Sequence, residues 1–273
     1  MIIDFRVRPP YKSLGEGALW DLPRRESFAA RFGCGISASI RERSMDLFLA
    51  EMAAAGITQA VVQIRLSIGM QNADLAELLQ QYPDKFIGMI GVDPWQREQA
   101  MTDIQRYVLE GPASGIIIEH GFCQPALGAD CGINYPLYAL CEEKQIPVTL
   151  SFGGFLGPTV EHNAPKLIDQ VAADFPGLKL IIAHGGWPFV QEMAHIAFNR
   201  PNLYLSPDIY AVNVPGSSDY LAMMNYFVPE KMIFGSAYPV IAMGDMVRYY
   251  KDKLAPAVYE QIMYRNAARV LGL

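Results

Sequence analysis

The sequence lacks any uninterrupted apolar run of the ~18 residues that a membrane-spanning helix needs, although 51% of its 273 residues are hydrophobic. It has no block of lysine and arginine, and its formal net charge is −6 with a pI near 5.3. The phosphate-neutralising surface of a nucleic-acid binder is therefore missing. Cysteine is scarce: Cys34, Cys123, Cys131 and Cys141, with no C-x-x-C pair among them. That argues against a disulfide framework and for free, structural thiols. No basic segment followed by an apolar one opens the chain, so the expectation is a cytoplasmic protein whose partner is a small molecule, with no nucleic acid and no membrane. Histidine is equally sparse, limited to His120, His162, His184 and His195.

What the chain does have is a repeated alternation of strand and helix patterns. Ile2 to Val7 reads as a first strand. A polar, glycine-dotted excursion from Pro9 to Arg43 follows, carrying Arg24, Arg25 and Arg31. Loops of that length are usually functional. Ser44 then caps "SMDLFLAEMAAAG", which stops at Gly56. Seven further strand patterns, from "ITQAVVQI" to "KMIFGSAYP", alternate with amphipathic segments, and "YEQIMYRNAARVLGL" closes the chain. Eight such strands in 273 residues, with no linker or composition shift, predict a single-domain α/β fold over 1–273: a (β/α)8 TIM barrel.

In such barrels the reactive groups stand where strands end. Strand one ends in Arg6 and Arg8, two apart and so on one face. Strand two ends in Arg65, strand four in Glu119 and His120, strand five in Ser151, strand six in His184. Strand seven ends near Asp208, with Tyr210 just beyond, and strand eight runs into Tyr238. Arginine has no lone pair to give a metal, but it holds a carboxylate with two parallel hydrogen bonds. Arg6, Arg8 and Arg65 are thus candidates for binding a small anion, or else partners of structural carboxylates. His184, before Gly185 and Gly186, is a candidate acid or base, the alternative being a satisfied core histidine. His120 is placed similarly, whereas His162 and His195 read as ordinary loop and helix residues. Asp208 and Glu119 are candidate counterparts for the proton. Asp208 could equally cap a turn, and Ser151 has no base beside it in sequence.

These stretches, together with "YPDKFIGMIGVDP", "LKLIIAHGGWP", "IFGSAYP" and "RNAARVLGL", resemble the amidohydrolase superfamily in its amidohydrolase-related (amidohydrolase 2) branch of TIM-barrel hydrolases and decarboxylases, over essentially the whole chain. The resemblance implies a divalent metal held by D-x-H-x-H on strand one, a histidine ending strand five, and an aspartate in G-S-D-x-P on strand eight. Here those positions hold Arg6, Arg8, Ser151 and Ala237, and only His184 keeps the pattern. The expectation is therefore no metal and no cofactor, the alternative being a different metal site formed by Glu119, His120 and His184. The catalytic set expected is His184, Glu119, His120 and Asp208. The set expected to bind substrate is Arg6, Arg8, Arg65, Ser151, Tyr210 and Tyr238. The activity expected is hydrolysis of a small carboxylated ester or lactone, the alternative being a non-catalytic anion-binding member. "YLAMMNYF" hints at a homo-oligomer, or simply at core packing.

Overall fold

The structure, a computed structural model, describes residues 1–154 and 157–273. Seven parallel strands follow one another in spatial order: β1 (Ile3–Val7), β2 (Gln59–Gln63), β3 (Phe86–Val92), β4 (Gly115–Ile118), β5 (Val148–Ser151), β6 (Leu180–Ala183) and β7 (Leu203–Ser206). The expected eighth strand forms no regular ladder. Its segment nevertheless closes the barrel: Ile233 N donates to Leu205 O (2.9 Å), Phe5 N to Phe234 O (3.0 Å) and Arg8 N to Tyr238 O (3.0 Å). The reason is local, since Ala237 adopts φ +61 and breaks the extended run just before Tyr238. The fold is the single-domain α/β TIM barrel, with seven regular strands and an irregular eighth.

Helices ring the barrel: α1 (Leu22–Arg31), α2 (Ala38–Glu42), α3 (Met45–Ala54), α4 (Asn72–Gln81), α5 (Arg97–Asp103), α6 (Tyr135–Glu143), α7 (Pro165–Asp174), α8 (Val190–Asn199), α9 (Ser217–Ala222), α10 (Met243–Lys253), α11 (Pro256–Glu260) and α12 (Asn266–Leu271). Ser44 caps α3 by accepting from Leu47 N at 3.3 Å, and Gly56 follows at φ +73. The excursion after β1 is not a bare loop. It contains α1 and α2, with Asp21 capping α1 (Arg24 N to Oδ1, 2.9 Å) and Trp20 pinning its start through a 2.8 Å bond to Leu14 O. No helix among the described residues is long and apolar enough to cross a membrane, and all four cysteines are free.

Two apolar shells hold the barrel. Ile3, Phe5, Val61, Ile117, Ile181 and Tyr204 belong to the inner one, while Ile2, Val7, Val62, Ile118, Ile182 and Leu205 pack outward against the helices. Side chains alternate faces along a strand, so Gln63 and Arg65 share the inward face of Val61, and Glu119 that of Ile117. β1 departs from the rule. Its register slips between Asp4↔Ala60 and Val7↔Val62. Three steps on β1 thus span two on β2, which is a β-bulge. The extra residue restarts the alternation, so Phe5 and Arg6 both face inward, Val7 faces out, and Arg8 returns to the barrel mouth.

Candidate active site

Arg6 is 1% exposed and stands at the centre of the mouth. Its Nη1 donates to Gln63 Oε1 at 2.9 Å, its Nη2 meets His184 Nε2 at 2.9 Å, and its Nε lies 3.2 Å from Asp208 Oδ2. Gln63 is itself fixed by donating Nε2 to Phe5 O at 2.7 Å. Sequence reasoning missed Gln63, although its place two residues before Arg65 on β2 puts it on the same face.

A guanidinium can only donate, so His184 Nε2 is the acceptor and Nδ1 carries the proton. Nδ1 donates to Asp208 Oδ2 at 2.9 Å. Burial first, and then the neighbouring charge of Arg6, push His184 down to about 4, against the pull of Asp208. The imidazole is thus neutral near pH 7. Backbone geometry explains the glycines after it: His184, Gly185 and Gly186 have φ +64, +61 and +78. A Cβ on Gly186 would sit 2.4 Å from Met193 Cγ. Asp208 (φ +45) and Ala237 (φ +61) lie in the same left-handed region. Strained residues of this kind gather at functional sites.

Arg65 forms the second ion pair. Its Nε lies 2.5 Å from Glu119 Oε1, which also accepts from Ser67 Oγ at 2.9 Å, while Oε2 accepts from Ser67 N at 3.1 Å. The Arg65 guanidinium rests 5.1 Å from the Phe122 ring centroid. Beside this pair a cavity of about 520 Å³ opens past Ser67, Asn72, Gly91, Asp93 and Cys123. Arg8 differs from both other arginines. It is 3% exposed, and neither its Nε nor its Nη2 has an acceptor among the described residues. Burial, followed by the charges of Arg6 and Arg65, lowers its pKa.

Tyr210 joins the cluster, edge-on to His184 at 5.4 Å and stacked on Trp187 at 5.0 Å. Ser151 stands partly buried at the end of β5, on the inward parity. Two expected residues are placed elsewhere. His120 faces the helix layer, where Nε2 meets Tyr138 Oη at 2.8 Å, and burial drives it down to about 3. Tyr238 points into the outer shell, edge-on to Phe48 at 5.0 Å and Trp20 at 6.0 Å, with its hydroxyl on Ser39 Oγ at 2.9 Å. Both obey ordinary alternation: Ile117 and Ile233 belong to the inner shell, so His120 and Tyr238, each an odd number of residues further on, face outward. Asp4, unmarked as a site residue in the sequence, locks the closure instead: Oδ1 accepts from Ser236 N (2.8 Å) and Arg6 N (3.2 Å).

A divalent metal, which the resemblance implies, does not fit this donor set. A tetrahedral site needs at least three lone-pair ligands, and no cluster of three His, Cys, Asp or Glu that could hold an ion exists among the described residues. Both ring nitrogens of His184 are already engaged, Nε2 with Arg6 Nη2 and Nδ1 with Asp208.

Comparison with solved structures places the chain beside an uncharacterized TIM-barrel protein of Bordetella bronchiseptica, with 38% identity, TM-score 0.94, and coverage of 99% of this chain and 98% of that one. A dihydroxybenzoic acid decarboxylase from Polaromonas, solved with manganese and the inhibitor 2-nitroresorcinol, shares the fold at 17% identity and TM-score 0.71, with 100% and 97% covered. So does a 4-oxalomesaconate hydratase from Rhodopseudomonas palustris, at 22% identity and TM-score 0.67, with 100% and 96% covered. A search of curated proteins gave no match. The family model described as amidohydrolase matches residues 3–273, and the chain belongs to that amidohydrolase 2 family.

Proposed function

We propose that the protein is a hydrolase that opens a small carboxylated ester or lactone without a divalent metal. One observation carries this reading: the Arg6 guanidinium is clamped by Gln63, His184 and Asp208, while neither Nε nor Nη2 of Arg8 beside it has an acceptor among the described residues. The substrate carboxylate takes the place between Arg6 and Arg8, where charge-assisted bonds are strong. A carboxylate is a better acceptor for Arg6 Nη2 than a neutral imidazole, so its arrival draws the guanidinium off His184 Nε2. The same negative charge raises the histidine from about 4 towards neutrality. The freed Nε2 takes a proton from the attacking water as the water oxygen bonds to the acyl carbon. The acyl C–O bond then breaks, and His184 returns that proton to the departing alkoxide oxygen. Asp208 keeps the ring oriented and stabilises the imidazolium. Arg65, steadied by Glu119, supplies positive charge to the developing oxyanion. Without a metal-bound hydroxide, activated esters and lactones suit this machinery better than amides. A cytoplasmic location belongs to the same reading. So does a homo-oligomeric state, supported by the exposed Phe198 and Phe227 rings stacked at 5.2 Å.

A binding-only role is the second reading. It is favoured by the Arg6 Nη2 bond that covers His184 Nε2 and by Ala237 at the position of the family aspartate. The test is a panel of carboxylated aryl esters and lactones on chelator-treated protein. Turnover should persist and fall about 100-fold or more in His184→Asn, while Arg8→Met should weaken substrate binding. Turnover abolished by the chelator removes metal independence. Arg8-dependent binding of carboxylates with no turnover across the panel selects the second reading.

A further inference from the structure

We propose that Arg25 is a second anion-binding group, so that the ligand carries two negative charges at opposite ends of a flat, apolar middle. The inference rests on the reading of Arg8 as the first anion-binding group. Arg25 lies on the underside of α1, 2% exposed, and neither its Nε nor its Nη1 has an acceptor among the described residues. The Phe28 ring centroid lies 5.5 Å from its guanidinium carbon. Among the described residues, no nearby acid makes a hydrogen bond or salt bridge with it: Asp21 accepts from Arg24 N as the helix cap and acts on Arg25 only through its charge, and Glu26 pairs with Arg41.

Aromatic rings tie this helix to the mouth of the barrel. Phe28 lies 5.2 Å from Phe32, Phe32 meets Tyr210 edge-on at 6.3 Å, and Tyr210 stands 5.4 Å from His184. Asn213 Nδ2 also donates to Phe32 O at 2.7 Å, fastening the end of α1 to the loop after β7. A wall of rings therefore runs from Arg25 to the reacting centre. The charges around it do not balance. Of four buried guanidiniums, Arg6 is paired with Asp208 and Arg65 with Glu119, which leaves Arg8 and Arg25. Burying an unpaired charge is costly, and a dianion spanning the ring wall would offset both at once.

The test is calorimetric titration of wild type, Arg25→Met and Arg8→Met with terephthalate, with its monomethyl ester, and with the α,ω-dicarboxylates from glutarate to suberate. In wild type at least one diacid should bind about 10- to 100-fold tighter than its monoester. Arg25→Met should bring that ratio close to one, and ligand-free it should unfold at a higher temperature than wild type, because a merely structural Arg25 would lower it. Should Arg25→Met not fold, Arg25→Lys takes its place, since losing the two-pronged donor should still cut the ratio. A ratio unchanged by either substitution, or no diacid preferred by wild type, overturns the assignment of Arg25 and leaves Arg8 standing. Monoester affinity untouched in Arg8→Met overturns the Arg8 reading instead.

Discussion

Replacing Asp208 by asparagine tests the electrostatic frame of the site with little change in shape. Asp208 is fully buried and faces both Arg6 Nε at 3.2 Å and His184 Nδ1 at 2.9 Å. Removing its charge leaves Arg6 unpaired in a mouth already occupied by Arg8 and Arg65. Breaking one partner out of a buried pair costs about 3–5 kcal/mol. Unfolding entropy runs at roughly 2.1 cal/mol/K per residue, which for 273 residues gives about 0.6 kcal/mol/K. Asp208→Asn should therefore lower Tm by about 5–9 °C, read by scanning calorimetry. The same substitution in an Arg6→Gln background should cost less, because the pair is already gone, and the double-mutant cycle isolates that coupling. A Tm within a degree of wild type, or a loss identical in both backgrounds, would refute the view that this pair anchors the site.

Arg8→Met should move stability the other way: deleting buried donors that lack acceptors should gain about 1–3 kcal/mol, seen as a higher Tm, and a lower Tm would show that Arg8 holds structure. Stability against pH follows from three buried groups. His184 (about 4) and His120 (about 3) lie below the usual 6.5, so between pH 4 and 6.5 the unfolded chain binds their protons and the native state does not. Burial raises Asp4 from 3.8 to about 7, so over the same interval the native state holds one proton that the unfolded chain has lost. The net is two minus one, and stability should rise by about 1.4 kcal/mol per pH unit from these groups. Asp4→Asn should roughly double that slope, and an unchanged slope in urea titrations across this range would contradict the sign. Gly186→Ala forces a side chain into φ +78 and within 2.4 Å of Met193 Cγ. It should cost about 2–4 kcal/mol, and an unaltered Tm would show that the turn relaxes freely.

The sequence makes the architecture legible because the strands are β-branched runs, Ser44 and Gly56 bracket the helix after the excursion, and the two periods alternate without a break. It also places Arg6, Arg65, Glu119, His184 and Asp208 at strand ends, where they meet. It does not reveal the bulge in β1. Alternation alone puts Arg6 and Arg8 on one face but assigns that face opposite to Phe5, and only the slipped register turns both arginines into the mouth. The outward course of Tyr238, by contrast, agrees with plain alternation, since it stands five residues after the inward Ile233. The helices of the excursion stay hidden because α1 is strongly polar and buries Arg25 and Ala29 rather than an aliphatic stripe.

The non-glycine residues held left-handed where strands end divide the mouth into unequal halves. His184 (with Gly185 and Gly186 behind it), Asp208 and Ala237 all belong to the ends of β6, β7 and the closing segment. Each holds a conformation that the surrounding backbone must enforce, so that half tolerates few replacements. The cavity beyond Glu119 lies across the barrel, against the ends of β2, β3 and β4, and is lined mainly by ordinary side chains such as Leu66, Gln71, Gln96 and Gln99. Evolution of what this barrel accepts therefore has its freedom on the cavity side. Divergent relatives should vary there while keeping the turns that carry His184 and Asp208.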